Sequence, residues 1–397
     1  MTYLQQSQQA GRHILPDLIR AFALFGIVLV NVAFFAFPGD ATYHAGGLDT
    51  GADNTAFFVS NGFFLFKSYA LFSLMFGAGL AYQMMAAQRR DIAFGPQYTR
   101  RLLGLIFIGA LHVTFAFAGD ILIIYALFGS ILFLFRNCKT KTLLIWGGIF
   151  IALQLAIAAL SFLALWAGET FAPEEMTKAM AEMEESQIGV IAAYSGDSFT
   201  NAALQRWKDY GLIIVVGIFY QGTGVLGFFL FGLAAVKAKI ISDPTAKIWS
   251  TARKFWLIPG LALSLAGAYF MGQAESAMSS KVILGMALIV TGAPLASMGY
   301  AGLIAKWAEG PVTGLKLFLA RGGTATLTAY LLQSVILSIL FCGYGFGLYM
   351  KIGAAGCIAI AFVTGAVSIV FSSLWRKRFE RGPVEALLRR WTYLGQR

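Results

Sequence analysis

Two side chains in this sequence suggest acid–base work: His112 and Asp120. Of the three histidines, only His112 lies inside a strongly apolar stretch, the run from Arg101 to Phe117. A short link, Ala118-Gly119-Asp120, follows, and a second apolar run continues from Ile121 to Phe135. Two helices folded back at that link carry the carboxylate toward the imidazole, where it can orient the ring and set which nitrogen holds the proton. An imidazole held this way is a general base for a hydroxyl or an amine. An ionisable side chain inside an apolar run is by default a site hypothesis. The structural alternative is a histidine bonded to a helix carbonyl.

Further charges recur at helical spacing. Asp17, Arg20, Leu24, Ile27 and Asn31 share one helix face, which gives an acid, a base and an amide. An ion pair anchoring the helix end is the plainer reading of Asp17 and Arg20. Lys67, in Phe-Leu-Phe-Lys-Ser-Tyr, lies deep in its apolar run, where a lysine costs about 2.5–3.5 kcal/mol unless it meets a partner or a polar cavity. A cavity is the expectation, with snorkelling as the alternative. Arg101, Leu105, Ile108 and His112 form one stripe, so a single face links a basic mouth to the histidine. Thr326, Tyr330 and Gln333 form a second polar stripe, with Arg321 at its mouth, and Gln221 adds an amide beside a glycine-rich run. Arg89, Arg90, Arg100 and Arg101 either set membrane orientation or seat an anionic head group or donor phosphates.

The elements that position these residues follow from composition. The chain has 397 residues, is 58% hydrophobic and only 12% charged, and contains 35 Phe. A soluble chain of that length needs more charge to cover its surface, so this reads as an all-α polytopic membrane protein. Apolar runs predict about ten helices, near 14–37, 57–86, 98–117, 119–136, 142–167, 210–236, 255–272, 281–305, 321–342 and 352–375. They form one membrane domain, with an acidic outer loop of some helical character at 168–209 and a basic tail at 376–397. The first run is too long for a secretory h-region and lacks a cleavage site, which favours a retained helix.

The net charge of +11 falls in short clusters between apolar runs, as the positive-inside rule expects, and this argues against nucleic acid as a partner. Alternation of Lys/Arg-rich and Lys/Arg-poor links places both termini in the cytoplasm and the 112–120 turn toward the outer face. Cys138, Cys342 and Cys357 lack paired metal-ligand spacing and read as core residues, so no metal is expected.

Several stretches resemble one family in order along the chain. They are Pro-Asp-Leu-Ile-Arg-Ala-Phe-Ala-Leu-Phe-Gly-Ile-Val-Leu-Val-Asn from Pro16, Lys-Ser-Tyr-Ala-Leu-Phe-Ser-Leu-Met-Phe-Gly-Ala-Gly from Lys67, Leu-His from Leu111 and Gly-Asp-Ile-Leu-Ile-Ile-Tyr-Ala-Leu from Gly119. Leu-Thr-Ala-Tyr-Leu-Leu-Gln-Ser from Leu327 and Arg-Gly-Pro-Val-Glu-Ala-Leu-Leu-Arg from Arg381 complete the set. The pattern resembles YeiB-type proteins, which carry domain of unknown function 418. That family is in turn similar to the transmembrane acyltransferases, including sugar O-acyltransferases and heparan glucosaminide N-acetyltransferases.

Arg20 and Asn31 stand at the spacing at which the O-acyltransferase branch has Arg and His. The glucosaminide branch is closer at Asn31 and places its catalytic histidine after the first helix, where this chain has His44. The resemblance implies a transmembrane-acyltransferase-like bundle in a bacterial cytoplasmic (inner) membrane. It also implies acyl-CoA as a cytoplasmic donor and an envelope glycan, lipid or small molecule as acceptor. Membrane lipids are the remaining expected partners, and a homodimer is compatible.

Three functions fit these residues. In an acyltransferase, His112 is the base and Asp120 orients it, Lys67 and Arg20 stabilise an oxyanion or bind phosphates, and Tyr330 and Gln333 line the cavity. In a proton-coupled transporter or flippase of an amphiphile or small anion, the same charges line a passage. In a lipid-binding scaffold, charged pairs only fix helix packing.

Overall fold

The computed structural model describes residues 14–39, 50–274 and 276–394. His44 lies outside the described residues. The described residues form helices joined by turns and short irregular links, with no strand. Helix α1 spans Ile14–Ala36, α2 Gly51–Phe63 and α3 Lys67–Arg89. The hairpin is α4, Phe94–Phe115, and α5, Leu122–Leu134, followed by α6, Thr140–Phe171. Next come α7, Pro173–Ser195, α8, Phe199–Val216, a π-helical turn over Gly217–Gln221, and α9, Gly222–Lys237. A short α10, Lys247–Thr251, leads through a second π-helical turn into α11, Leu257–Gly272, and α12 covers Ser280–Glu309. The chain ends with α13, Gly314–Gly322, α14, Thr326–Phe341, α15, Ala354–Arg378, and α16, Pro383–Thr392.

Every expected apolar run appears as helix, but not every helix is a full crossing. Among the described residues, seven helices are long and apolar enough to cross a membrane, or eight if α13 and α14, bent by 76°, form one span. The two remaining segments of the expected ten are the hairpin arms. Helix α5 has 13 residues, about 20 Å at 1.5 Å per residue, against a hydrocarbon core of roughly 30 Å. Alone it is too short to cross, and the hairpin tip is capped by a neighbour. Helix α8 covers it: Arg206 Nη1 donates to Thr114 O at 2.7 Å, and Trp207 Nε1 donates to Thr114 Oγ1 at 3.1 Å.

The segment expected as an acidic loop is mostly helix, because α6 runs on to Phe171, α7 follows at Pro173, and α8 starts at Phe199. Proline at the first helical position and Glu174 and Glu175 in the first turn favour the start of α7.

Helices α3 and α9 approach to backbone contact. A methyl group at Gly77 would run into the Phe229 carbonyl, and one at Gly232 into the Leu74 carbonyl. Such close packing of small residues suits helices in lipid, where apolar burial alone does not drive association. Between α2 and α3 the chain breaks at Phe66, whose φ of 63° is a left-handed conformation that a bulky residue rarely adopts. Helix α6 leaves large apolar side chains such as Leu144, Ile149 and Leu160 uncovered, as a lipid-facing helix does. Mean apolarity and helix length together make the chain a membrane protein.

Candidate functional site

The hairpin joins the two residues that head the sequence reading. His112 and Asp120 are both buried, and His112 Nδ1 lies 2.7 Å from Asp120 Oδ2. The other carboxylate oxygen, Oδ1, accepts from the Ile123 backbone N–H at 3.0 Å, at the start of α5. Asp120 thus caps a helix with one oxygen and holds the imidazole with the other. Gly109, one turn before His112, makes this approach feasible, since a Cβ there would lie 2.7 Å from Asp120 Oδ1 and from Ile123 Cγ1. With Nδ1–H donating to the carboxylate, Nε2 keeps its lone pair. Among the described residues, Nε2 is buried with no hydrogen-bond partner.

The Tyr330 ring sits 5.0 Å from the His112 ring, centroid to centroid. Its hydroxyl is buried beside the Ile121 backbone, and the residue is 2% exposed. Tyr330 also lines a cavity of about 340 Å³ that Arg101, Leu105, Leu122 and Tyr125 share. His112 lies behind Tyr330, farther along the α4 stripe that Arg101 and Leu105 begin. At its other end the cavity meets Arg20, Gln97, Arg381, Glu385 and Arg389. Arg20 Nη1 donates to Asp17 Oδ1 at 2.9 Å, so the first-helix pair forms as expected and presents its arginine to the cavity.

Several other candidates are elsewhere. Lys67, 0% exposed, donates to the Asn61 carbonyl at 3.3 Å beside the α2–α3 break and does not line this cavity. The carbonyl of Gln221 accepts from the Tyr69 hydroxyl at 2.8 Å, and Gln333 Nε2 donates to Ser368 Oγ at 2.9 Å. Arg321 lies in the last turn of α13, where its carbonyl accepts from Thr324 Oγ1 at 2.7 Å. Asn31 is half-buried on α1. None of these four lines the cavity. Of the basic cluster, only Arg101 does; Arg89 donates to the Met85 carbonyl and Arg100 to the Leu394 carbonyl.

Sequence reading missed the share that α16 takes. Arg381, Glu385 and Arg389 belong to the stretch quoted for its family resemblance, and a proline-led helix start with a glutamate two residues on was the available signal. Arg206 was also missed because its segment read as a loop. It is 1% exposed and donates to the Tyr344 hydroxyl at 2.7 Å. Among the described residues, no three His, Cys, Asp or Glu side chains gather as a metal would require.

Comparison with known proteins places the chain. Residues 235–395 match the family described as protein of unknown function (DUF418). The chain is 31% identical over 412 residues to the uncharacterised protein YxaH of Bacillus subtilis, covering 99% of this chain and 97% of that one. It is 27% identical over 391 residues to the uncharacterised protein YeiB of Escherichia coli, covering 96% of each. An uncharacterised 39.9 kDa protein from the amylase 3′ region of Bacillus acidopullulyticus is 24% identical over 378 residues, covering 95% of this chain and 92% of that one. No solved structure matches the chain significantly. The chain belongs to the DUF418 family.

Proposed function

We propose that this protein is an integral-membrane acyltransferase in which His112 is the general base. The carrying observation is the His112–Asp120 pair, 2.7 Å apart, with a bare Nε2 behind a cavity that ends in arginines. In this reading Nε2 takes the proton of an acceptor hydroxyl or amine as that atom attacks the carbonyl of an acyl thioester. The C–S bond then breaks, and the imidazolium returns its proton to the leaving thiolate. Asp120 holds the Nδ1–H tautomer and stabilises the imidazolium, and Tyr330 turns aside to admit the reacting groups or donates its hydroxyl to the developing oxyanion.

Arg20, Arg101, Arg381 and Arg389 seat the anionic end of the donor, a coenzyme A thioester. The cavity, at about 340 Å³, lies at the low end of ligand pockets of roughly 300–1,000 Å³, which suits the phosphate-bearing arm more than the entire cofactor. The basic end of the bundle faces the cytoplasm of a bacterial inner membrane, with both termini on that side. The acceptor is an envelope glycan, lipid or small molecule.

Interruptions in the helices favour a second reading, proton-coupled transport. The bend of 76° between α13 and α14, the break at Phe66 and the two π-helical turns interrupt long helices, as in transporters whose sites lie at such breaks. Purified protein in detergent, with no gradient present, separates the two. Acyl transfer predicts steady loss of a coenzyme A thioester and release of free thiol. Activity that requires sealed vesicles and a proton gradient, with thioester untouched in detergent, would support transport instead.

A further inference from the structure

Helix α14 begins without a side-chain cap of its own. Its first backbone N–H groups instead meet a carboxylate from the far end of the chain. Glu385 Oε1 accepts from Leu327 N at 2.8 Å and from Thr328 N at 3.2 Å, and Oε2 accepts from Thr328 Oγ1 at 2.5 Å. Thr328 Oγ1 in turn accepts from Val384 N at 3.1 Å, which locks α16 onto α14. Gly382 is part of the joint, because a Cβ there would collide with Glu385 and with Thr328 Oγ1. A helix N-terminus with exposed N–H groups is an anion seat. Here an internal anion fills it.

Charge around that seat is unbalanced. Four arginines line the cavity, Arg20, Arg101, Arg381 and Arg389, against one carboxylate, Glu385. Asp17 pairs with Arg20 and Glu380 lies near Arg381, which leaves the lining net positive. Burial, and next the neighbouring Arg389, hold Arg381 below the usual arginine range, as expected of cations gathered without enough counter-charge. Independent polar atoms also wait there. Gln97, 1% exposed, lines the same cavity with Oε1 unpartnered, and Arg101 Nε is buried without an acceptor. Buried polar atoms are rarely left unsatisfied unless a ligand or water completes them.

We propose that this cavity binds a dianionic phosphate or diphosphate group, and that the Glu385 carboxylate keeps that group's place at the N-terminus of α14. On binding, the ligand's oxygens take the Leu327 and Thr328 N–H groups, Glu385 swings out, and Arg381 and Arg389 close on the ligand. A phosphate monoester carries about −1.5 to −2 at neutral pH, more charge than the single carboxylate it displaces. The site deepens the donor reading above. Because binding is read without turnover, a chain that binds the anion but never consumes thioester would refute the transfer reading alone.

The test titrates the full-length protein in detergent with sodium pyrophosphate. Glu385→Gln, which removes the competing charge, tightens binding by about tenfold or more, and Arg101→Gln weakens it by about tenfold, as expected for charge-assisted hydrogen bonds. If Glu385 were only a structural cap, Glu385→Gln would lower stability and leave pyrophosphate affinity unchanged or weaker, which overturns the proposal. Hydrogen exchange on the unaltered chain needs no variant. Pyrophosphate raises exchange in 383–394 and keeps the amides of 327–328 protected, whereas no change in either segment overturns the proposal. Coenzyme A and short-chain phosphatidic acid are then competed against pyrophosphate. Displacement by the first identifies a soluble donor and by the second a lipid head group, and displacement by neither contradicts the site.

Discussion

His112 and Lys67 are both buried ionisable side chains in apolar helices, yet their surroundings differ. His112 faces a carboxylate at 2.7 Å, keeps one nitrogen bare, and sits behind a tyrosine that opens on an arginine-lined cavity. Lys67 faces a single backbone carbonyl at 3.3 Å beside a helix break, away from that cavity. Burial of a charge is therefore a weak guide to chemistry. A second titratable group and a route to a cavity distinguish a site from a packed cation.

That contrast can be broken most severely at the histidine. His112→Ala should lower thioester turnover by about 10²–10⁴-fold, the share that general acid–base catalysis contributes. Its thermal midpoint in detergent should stay close to the parent's, and equal losses of activity and stability would support a structural histidine. Asp120→Asn should follow, with a loss of roughly 10²-fold, because an amide can present its N–H to the ring and select the wrong tautomer. Gly109→Ala presses a methyl group on Asp120 and Ile123, and overpacking of that kind costs about 1–3 kcal/mol. Denaturation should detect that loss, together with reduced turnover as the hairpin arms part.

The smallest effect belongs to Lys67→Met, which should leave turnover within about twofold and stability equal or higher, since it removes a buried amine with no counter-charge. A stable but inactive Lys67→Met protein would put the lysine back among the site residues.

What was legible in the sequence follows the range of each interaction. His112 and Asp120 are eight positions apart across one turn, so spacing alone brought them together. The Asp17–Arg20 pair is one helical turn, and it formed as read. Apolar runs marked the helices, but not that α5 stops at 13 residues or that Arg206 covers the hairpin tip, because no local signal says what lies above a turn. The α16 contribution was hidden for the same reason. Glu385 meets Leu327 and Thr328 across about 57 residues, and Arg389 and Arg20 come to line one cavity from nearly opposite ends of the chain. The partner of Lys67 was not legible, because insertion cost signals that a partner is needed and not which one, and the structure supplies the Asn61 carbonyl near a helix break.

His112 can act as the base only as a neutral imidazole with its Nδ1–H on Asp120 and a lone pair on the unpartnered Nε2. Three histidines in the chain make that directly observable by nitrogen-15 NMR of histidine-labelled protein in detergent, with the His112→Ala variant identifying its resonances. At neutral pH the prediction is one ring pair, absent from the variant, with a protonated Nδ1 and an unprotonated Nε2. A proton on Nε2, whether in the other tautomer or in an imidazolium, would contradict His112 as the base.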